Sequence, residues 1–247
     1  MNNKRLKNIA YDLRVKTLKA FVTNQEAHLG GSYSIIETIV LLYYKIIQKD
    51  DKFLLSKSHA SYPLCFILND LGYNTEIKTH LEIDIENKIY STTGSLGHGL
   101  PIAIGMAYAR KLNNQKGNIY VLISDGECQE GTTWESLLIC ESLKLTNLKI
   151  LIDFNGLQAL EKLKYFNNCE SLQNKILSFG LECDVIKNGH CFKELYDKIT
   201  SNIKSTVLIL NTVKGMGLEE IENDPIWHAK KVKPEMEKKL LNNIYRV

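Results

Sequence analysis

Residues 119–154, IYVLISDGECQEGTTWESLLICESLKLTNLKILIDF, contain two short apolar runs separated by a polar turn and a helical stretch. The runs IYVLIS (119–124) and KILIDF (149–154) are rich in β-branched residues, which is typical of buried strands. Between them, DGECQEG predicts a tight loop and TTWESLLICESLKL predicts a helix. A strand, a helix and a second strand in this order predict a βαβ unit that joins two parallel strands of one sheet.

The alternation of helices and strands continues on both sides of this unit. Upstream, the loop EAHLGGS separates two amphipathic helices, and GSLGHG (94–99) opens another helix. The predicted upstream elements are helices at 3–22, 34–48, 61–71 and 100–112, a strand at 53–56 and an irregular stretch at 74–93. The predicted downstream elements are helices near 171–179, at 190–203 and from about 235, with strands near 182–187 and at 206–212. This order predicts a single doubly wound, mostly parallel α/β domain over residues 1–247, with helices on both faces of the sheet.

Composition narrows the class of protein. With 247 residues, 44% hydrophobic and 24% charged, the chain is large enough to bury a full core and is typical of soluble globular proteins. A net charge of +3 spread along the chain argues against nucleic acid or membrane as the main partner. No apolar run approaches a membrane span, so we expect a cytoplasmic protein. Its six cysteines form no CxxC pair and are expected to be reduced; Cys128 alone lies in a chemically suggestive loop.

Oxygen-bearing side chains end two neighbouring strands of the predicted sheet. Asp125 follows one strand and Asn155 follows the next, so the βαβ crossover brings them together, and both are hard oxygen ligands suited to Mg2+ or Ca2+. Gly126 allows a phosphate to approach the backbone near the start of a helix. These residues predict a site for a metal and a diphosphate. Alternatively, Asp-Gly and Asn-Gly are ordinary turn dipeptides, and that interpretation stays open for each one alone.

Several further segments carry a family resemblance. IYVLISDGECQEGTTWES followed by ILIDFNGLQ resembles the thiamine diphosphate signature, a GDG-type turn with a later Asn. AHLGGS, FLLSKSHAS, STTGSLGHGLPIAIGMA and KGMGLEEIENDPIWHAK also occur in the order expected of the N-terminal, diphosphate-binding domain of transketolases. Together these segments span roughly residues 10–230.

The resemblance implies roles for residues at matching positions. Asp125, Asn155 and the carbonyl oxygen of Leu157 would hold the metal, while Gly126, His59 and His228 would contact the diphosphate. Gly94 and Leu96 would lie close to the ring system of the cofactor. His28 and His80 would reach the reacting carbon and the substrate hydroxyls, and Glu130 would communicate across a dimer interface. The resemblance therefore implies a catalytic set of His28, His80, His228 and Glu130, whereas His98 is assigned to loop packing and His190 to a helix start.

Three positions depart from the family pattern. Ser124 replaces the first glycine of the GDG turn, and Ser58 stands where SKGHA-type segments carry glycine. The stretch after NGLQ, ALEKLKYFNN, lacks the usual Asp-Gly of the loop over the diphosphate.

Full transketolases continue into pyrimidine-binding and C-terminal domains, which the resemblance places on a separate chain. It implies the N-terminal subunit of a split transketolase that transfers a two-carbon ketol unit from a ketose or ketose phosphate to an aldehyde. The expected cofactors are thiamine diphosphate and Mg2+, and the expected assembly is a heterotetramer with the C-terminal subunit. The predicted helices at 34–48 and 131–144 are the candidate interfaces. One alternative is a 1-deoxyxylulose-5-phosphate-synthase-like or other carboligase subunit. Another is a non-catalytic, cofactor-binding regulatory subunit.

Overall fold

Within the residues that the computed structural model describes (3–158, 161–164, 166–201 and 207–247), five strands form one sheet. The strands are β1 (Lys52–Leu55), β2 (Ile119–Ser124), β3 (Leu148–Phe154), β4 (Cys183–Ile186) and β5 (Val207–Asn211). Their order across the sheet is β1-β2-β3-β5-β4, and every neighbouring pair is parallel. Loops that follow the strands therefore meet at one edge.

Helices cover both faces of this sheet. The helices of the described ranges are α1 (Asn3–Asn24), α2 (Leu29–Tyr33), α3 (Ile36–Leu41), α4 (Tyr62–Asp70), α5 (Gly99–Leu112), α6 (Gly131–Leu143), α7 (Cys169–Ser178), α8 (Phe192–Thr200) and α9 (Glu237–Asn243). Side chains alternate along each strand, so Tyr120 and Leu122 pack in a core with α1–α4, α8 and α9. Val121 and Ile123 pack in a second core with α5, α6 and α7. The predicted fold class, a doubly wound parallel α/β sheet, is confirmed.

The segment 29–46 differs from its prediction. Leu29–Tyr33 form α2 where the sequence predicts a loop, and the predicted helix at 34–48 is divided into α3 and a π-helical turn, Leu42–Ile46. Ser34 lies at the break between α2 and α3, where its hydroxyl group donates a 2.8 Å hydrogen bond to the buried Asp153 carboxylate. A tertiary contact thus accompanies the break, and hydrophobic periodicity cannot reveal such a contact.

Within helix 34–48, the predicted interface role is wrong for residues 35–42, whereas Tyr43, Tyr44 and Ile47 are partly exposed. The segment 35–42 is not free to contact a partner. Its apolar side chains between Ile35 and Leu42 are at most 1% exposed, because they form part of the core of this chain. The other candidate, α6, does expose apolar side chains: Leu138 is 53% and Ile139 is 45% exposed.

Other element boundaries shift by a few residues. The predicted strand at 206–212 is Val207–Asn211, and the predicted helix at 190–203 is Phe192–Thr200. Residues 202–206 lie outside the described ranges. The terminal helix begins at Glu237, after a 3-10 turn at Pro234–Met236. No helix in the described part of the chain is long and apolar enough to cross a membrane.

Candidate functional site

The loops after β1, β2, β3 and β5 meet around a cavity of about 510 Å3 at the carboxyl edge of the sheet. Ligands of parallel sheets bind at this edge. Most of the predicted site residues line the cavity: His59, Leu96, Asp125, Gly126, Glu130, Asn155, Leu157 and His228. Lys57 and Lys214, to which the motifs above assign no role, line it as well.

Backbone N–H groups hold the carboxylate of Asp125. Its Oδ2 atom accepts hydrogen bonds from the nitrogens of Asn155 (3.0 Å) and Gly156 (2.7 Å), and its Oδ1 atom accepts one from Gly126 (2.8 Å). Burial, followed by the neighbouring Asp153 carboxylate, raises the pKa of Asp125 to about 7. A cation beside Asp125 would offset both effects. Since Asn155 and Leu157 line the same cavity, the structure brings the three predicted metal ligands together.

A second buried carboxylate lies behind the cavity. Asp153 Oδ2 is 2.5 Å from the Nζ atom of Lys57, and Thr212 donates a hydrogen bond to Oδ1. Burial raises the pKa of Asp153, but the Lys57 ammonium group and the hydrogen bonds outweigh it and hold the pKa below its usual value. Asn155 Nδ2 also donates to Asp153 Oδ2, at 3.1 Å. Asp153 therefore fixes the orientation of the Asn155 amide.

Lys214 supplies a positive charge on another side of the cavity. Its Nζ atom lies 3.2 Å from Nδ1 of His228. Burial, followed by the charge of Lys57, lowers the pKa of Lys214 to about 8. Among the described residues, no carboxylate lies within ion-pair distance of Lys214. A largely buried lysine without such a partner favours an anionic ligand.

Three of the predicted histidines form a cluster of rings. The centroid of His28 lies 4.9 Å from that of His59 and 4.8 Å from that of His228. Burial is the largest cause that lowers the pKa of each ring, to about 4 for His228 and well below the usual value for His59. The charges of nearby Lys57 or Lys214 lower these pKa values further. The rings are therefore neutral near pH 7, so each can donate one hydrogen bond and accept another.

His80 and Gly94 form a second group, beside the cavity but not among its lining residues. A β-carbon at Gly94 would lie only 2.5 Å from Cδ2 of His80, so the ring packs directly on the glycine. Ser58 anchors this segment: its carbonyl oxygen accepts from His80 N (3.0 Å), and its hydroxyl group accepts from Leu81 N (2.8 Å). The serine that replaces the family glycine thus ties His80 to the turn that carries His59.

Glu127 is a buried carboxylate that connects three segments by hydrogen bonds, and no sequence motif predicts this role. Its Oε2 atom accepts from Ser124 N (2.8 Å), its Oε1 atom accepts from Gly97 N (3.1 Å), and the Ser56 hydroxyl group also donates to Oε1. This fully buried carboxylate joins the ends of β1 and β2 to the loop that carries Leu96. Ser124, as the last residue of β2, needs no positive φ, so a serine is compatible with this turn.

The structure also places three other residues that the sequence singles out, Cys128, His98 and Glu130. Burial, followed by Asp125 and Glu127, raises the pKa of the Cys128 thiol well above its usual value, so it is a structural residue. His98 Nδ1 lies 3.1 Å from the Leu96 carbonyl oxygen, within the glycine loop. Glu130 is exposed at the mouth of the cavity, directly before α6. In the stretch after NGLQ, residues 159, 160 and 165 lie outside the described ranges.

Comparison with known protein families identifies the family to which this chain belongs. The family model described as "Transketolase, thiamine diphosphate binding domain" matches residues 7–240. The chain belongs to the transketolase family. The match confirms the resemblance seen in the motifs and supports thiamine diphosphate as the cofactor of this transketolase domain.

Relatives of similar length are named as transketolase subunits. The chain is 34% identical to an apulose-4-phosphate transketolase subunit of Actinobacillus succinogenes, over 90% of this chain and 92% of that protein. It is 30% identical to the 6-deoxy-6-sulfo-D-fructose transketolase subunit SqwG of a Clostridium species, over 91% and 90% respectively. Its 28% identity to human transketolase covers 97% of this chain but 42% of the human protein.

Solved transketolases share the fold. The Campylobacter jejuni enzyme superposes with a TM-score of 0.82 over 98% of this chain and 43% of that chain, at 23% identity. The Leishmania mexicana enzyme gives a TM-score of 0.83 over 96% and 40%, at 19% identity. These neighbours agree with the parallel sheet and its surrounding helices.

Two lysines that line the cavity, Lys57 and Lys214, were not predicted as site residues, although the sequence carries a signal for their position. Lys57 lies in FLLSKSHAS and Lys214 in KGMG, both segments that carry the resemblance. Lys57 directly follows the predicted strand 53–56, and Lys214 comes two residues after the predicted strand 206–212, so both positions are expected at the carboxyl edge of the sheet. The burial of both side chains depends on tertiary packing and has no local signal.

Proposed function

We propose that this chain is the diphosphate-binding subunit of a two-part transketolase. With a partner chain it transfers a two-carbon ketol unit from a ketose or ketose phosphate to an aldehyde. The observation that carries the proposal is a single cavity lined by Asp125, by two further residues that offer oxygen ligands, by Lys214, and by the neutral histidines His59 and His228. Oxygen ligands suit Mg2+, and an unpaired cation suits a diphosphate.

The residues present fit a metal-bound diphosphate. Asp125, the Asn155 amide and the Leu157 carbonyl group would hold Mg2+, with Ca2+ as an alternative. His59, His228 and Lys214 would contact the diphosphate, close to the backbone of Gly126. A β-carbon at Gly126 would have no neighbour closer than 3.8 Å, so open space adjoins this backbone. When bound, thiamine diphosphate supplies an electron sink for cleaving and forming carbon–carbon bonds.

The remaining predicted residues would act around the substrate. His28 and His80 would orient the hydroxyl groups of the sugar, and a neutral imidazole such as His28 can accept or donate a proton there. Gly94 and Leu96 would lie along the rings of the cofactor. Glu130, exposed at the cavity mouth, would lie where a partner chain closes the site.

The partner would complete the active site. Matched relatives of similar length carry the name "subunit", and the chain covers 42% of human transketolase. We infer a second polypeptide with pyrimidine-binding and C-terminal domains, assembled with this chain as a heterotetramer.

A reconstitution assay tests the proposal. Each purified chain, and then both together, is incubated with thiamine diphosphate, Mg2+, a ketose phosphate donor and an aldehyde acceptor. We expect ketol transfer only in the mixture. If pyruvate in place of the ketose phosphate gave transfer of its two-carbon unit to the aldehyde with release of CO2, the carboligase alternative would be supported. Activity of this chain alone would contradict the need for a partner.

A variant of His28 separates an enzymatic role from a regulatory one. His28 has a left-handed backbone (φ 77°, ψ 21°), which asparagine tolerates better than alanine. We expect His28→Asn to lower turnover of the assembled complex while leaving assembly intact. Unchanged turnover would favour a non-catalytic, cofactor-binding subunit.

A further inference from the structure

A buried ionic network joins α1, α3 and the segment before α8. Arg14 Nη2 lies 2.6 Å from Glu37 Oε1, and His190 Nδ1 lies 2.9 Å from Glu37 Oε2. Arg14 is 0%, Glu37 is 1% and His190 is 5% exposed. None of the three lines the cavity. Burying charged groups costs free energy, and the further hydrogen bonds of this network show which segment it stabilises.

The network holds the backbone of the turn that carries Lys214. Val213 N donates a hydrogen bond to His190 Nε2 (2.8 Å), and Arg14 Nε donates one to the Met216 carbonyl oxygen (2.8 Å). Gly217 is needed beside it, because a β-carbon there would lie 2.2 Å from Arg14 Nε. The turn is therefore fixed on both sides of Lys214, whose side chain lines the cavity.

The protonation state of the network follows from its hydrogen bonds. Because His190 Nε2 accepts the Val213 N–H, the ring is neutral and carries its proton on Nδ1, which donates to Glu37. Burial raises the pKa of Glu37, but Arg14 and His190 outweigh it and keep the pKa below its usual value. Glu37 is thus an ionised centre that orients Arg14 and His190 together.

We propose that Arg14, Glu37 and His190 are positioning residues, which fix the turn Val213–Met216 and thereby direct Lys214 toward the anion in the cavity. This inference rests on the proposed function, in which that anion is a diphosphate. It gives a role in the site to His190, which the sequence assigned only to a helix start.

Two substitutions of His190 separate the two hydrogen bonds of the ring. In His190→Asn, the side-chain amide nitrogen takes the place of Nδ1 and keeps the contact with Glu37, but the acceptor for Val213 is lost. In His190→Gln, the amide oxygen takes the place of Nε2 and keeps that acceptor. If the turn is what matters, His190→Gln should retain more function than His190→Asn.

The first measurement is affinity for thiamine diphosphate with Mg2+, by calorimetry on the full chain assembled with its partner. We expect His190→Asn to weaken binding about tenfold, the scale of leaving one buried N–H group, that of Val213, without its acceptor. His190→Gln should stay closer to the wild type. In a Lys214→Met background, His190→Asn should cause little further loss, because the network acts through Lys214. Equal losses in both backgrounds, or a larger loss for His190→Gln, would overturn the proposal.

The second measurement needs no cofactor. Hydrogen exchange of peptides covering Val213–Gly217 should be faster in His190→Asn than in His190→Gln, while α7 serves as the internal reference. Equal exchange of the turn in the two variants would contradict the proposal. If the wild-type complex did not bind thiamine diphosphate, the proposed function would fail, and the exchange data would still decide whether His190 fixes the turn.

Discussion

Gly94 has no room for a side chain, which gives a prediction at the scale of a single residue. Its φ of 129° is unfavourable for other residues, and a β-carbon would displace the His80 ring. We expect Gly94→Ala to lower the free energy of unfolding by more than about 1 kcal/mol. Gly105, inside α5 with open space around it, is the control. In Gly105→Ala, we expect the free energy of unfolding to rise by about 0.5–1 kcal/mol. Urea titration measures both variants.

The lowered pKa of His228 predicts that the stability of the folded chain depends on pH. Its pKa is about 4 in the folded chain, below its ordinary value of 6.5, chiefly because of burial and then the charge of Lys214. The unfolded chain therefore binds an extra proton between these values, so stability present above pH 6.5 is lost as pH falls toward 4. We expect His228→Asn to lose less stability over this range than the wild type does.

Urea unfolding at both ends of the range measures this difference. The same replacement at His98, an exposed ring in the glycine loop, is the matched control and should leave the wild-type pH dependence in place. An identical loss of stability in His228→Asn and the wild type would contradict a role for His228 in acid sensitivity.

At this scale the sequence predicted the residues that stand in local patterns. Asp125 and Asn155 follow recognisable strands, and the structure brings both to one cavity. No local pattern predicts the contacts of Lys57, Asp153 and Glu127, because these residues join distant segments. Lys57 and Asp153, for example, meet only when β1 and β3 lie in the same sheet.

At the scale of elements, Glu127 decides how the loop 94–99 sits on the sheet. Glu127→Ala would leave the N–H groups of Gly97 and Ser124 without their acceptor. Each buried unpaired group costs about 1–3 kcal/mol, so we expect a clear loss of stability in urea. Hydrogen exchange should also quicken at residues 94–99. Glu135→Ala, at an exposed position of α6, should change stability by less than about 0.5 kcal/mol.

Elements with a clear hydrophobic periodicity were predicted well. Elements whose limits depend on tertiary contacts were not. β2, α6 and β3 appear close to their predicted limits, because buried parallel strands and the helix between them have strong local signals. α2 lies where the sequence predicts a loop, EAHLGGS. In the folded chain Gly30 instead lies against Lys214, where a β-carbon would be 3.1 Å from its Cγ atom.

At the scale of the whole molecule, α6 exposes apolar side chains where we expect a partner to bind. Leu138 and Ile139 are both exposed on it, and α6 begins at the cavity mouth. We expect Leu138→Glu to weaken association with the partner subunit, measured by co-purification and sedimentation, without changing the thermal unfolding of this chain. Tyr196→Glu, an exposed position of α8 on the opposite face of the sheet, should leave association unchanged. Equal association of both variants would exclude this face as the interface.

The balance of charges in the cavity bears on the order in which ligands can enter. Lys57 is paired with Asp153, and Lys214 and Asp125 offset each other across the remaining space. A divalent cation alone would leave excess positive charge there, and a diphosphate alone would leave excess negative charge. Each ligand should therefore strengthen the binding of the other, and the thermodynamic linkage must be equal in both directions. We therefore expect cofactor loading of this chain to be cooperative between the two ligands.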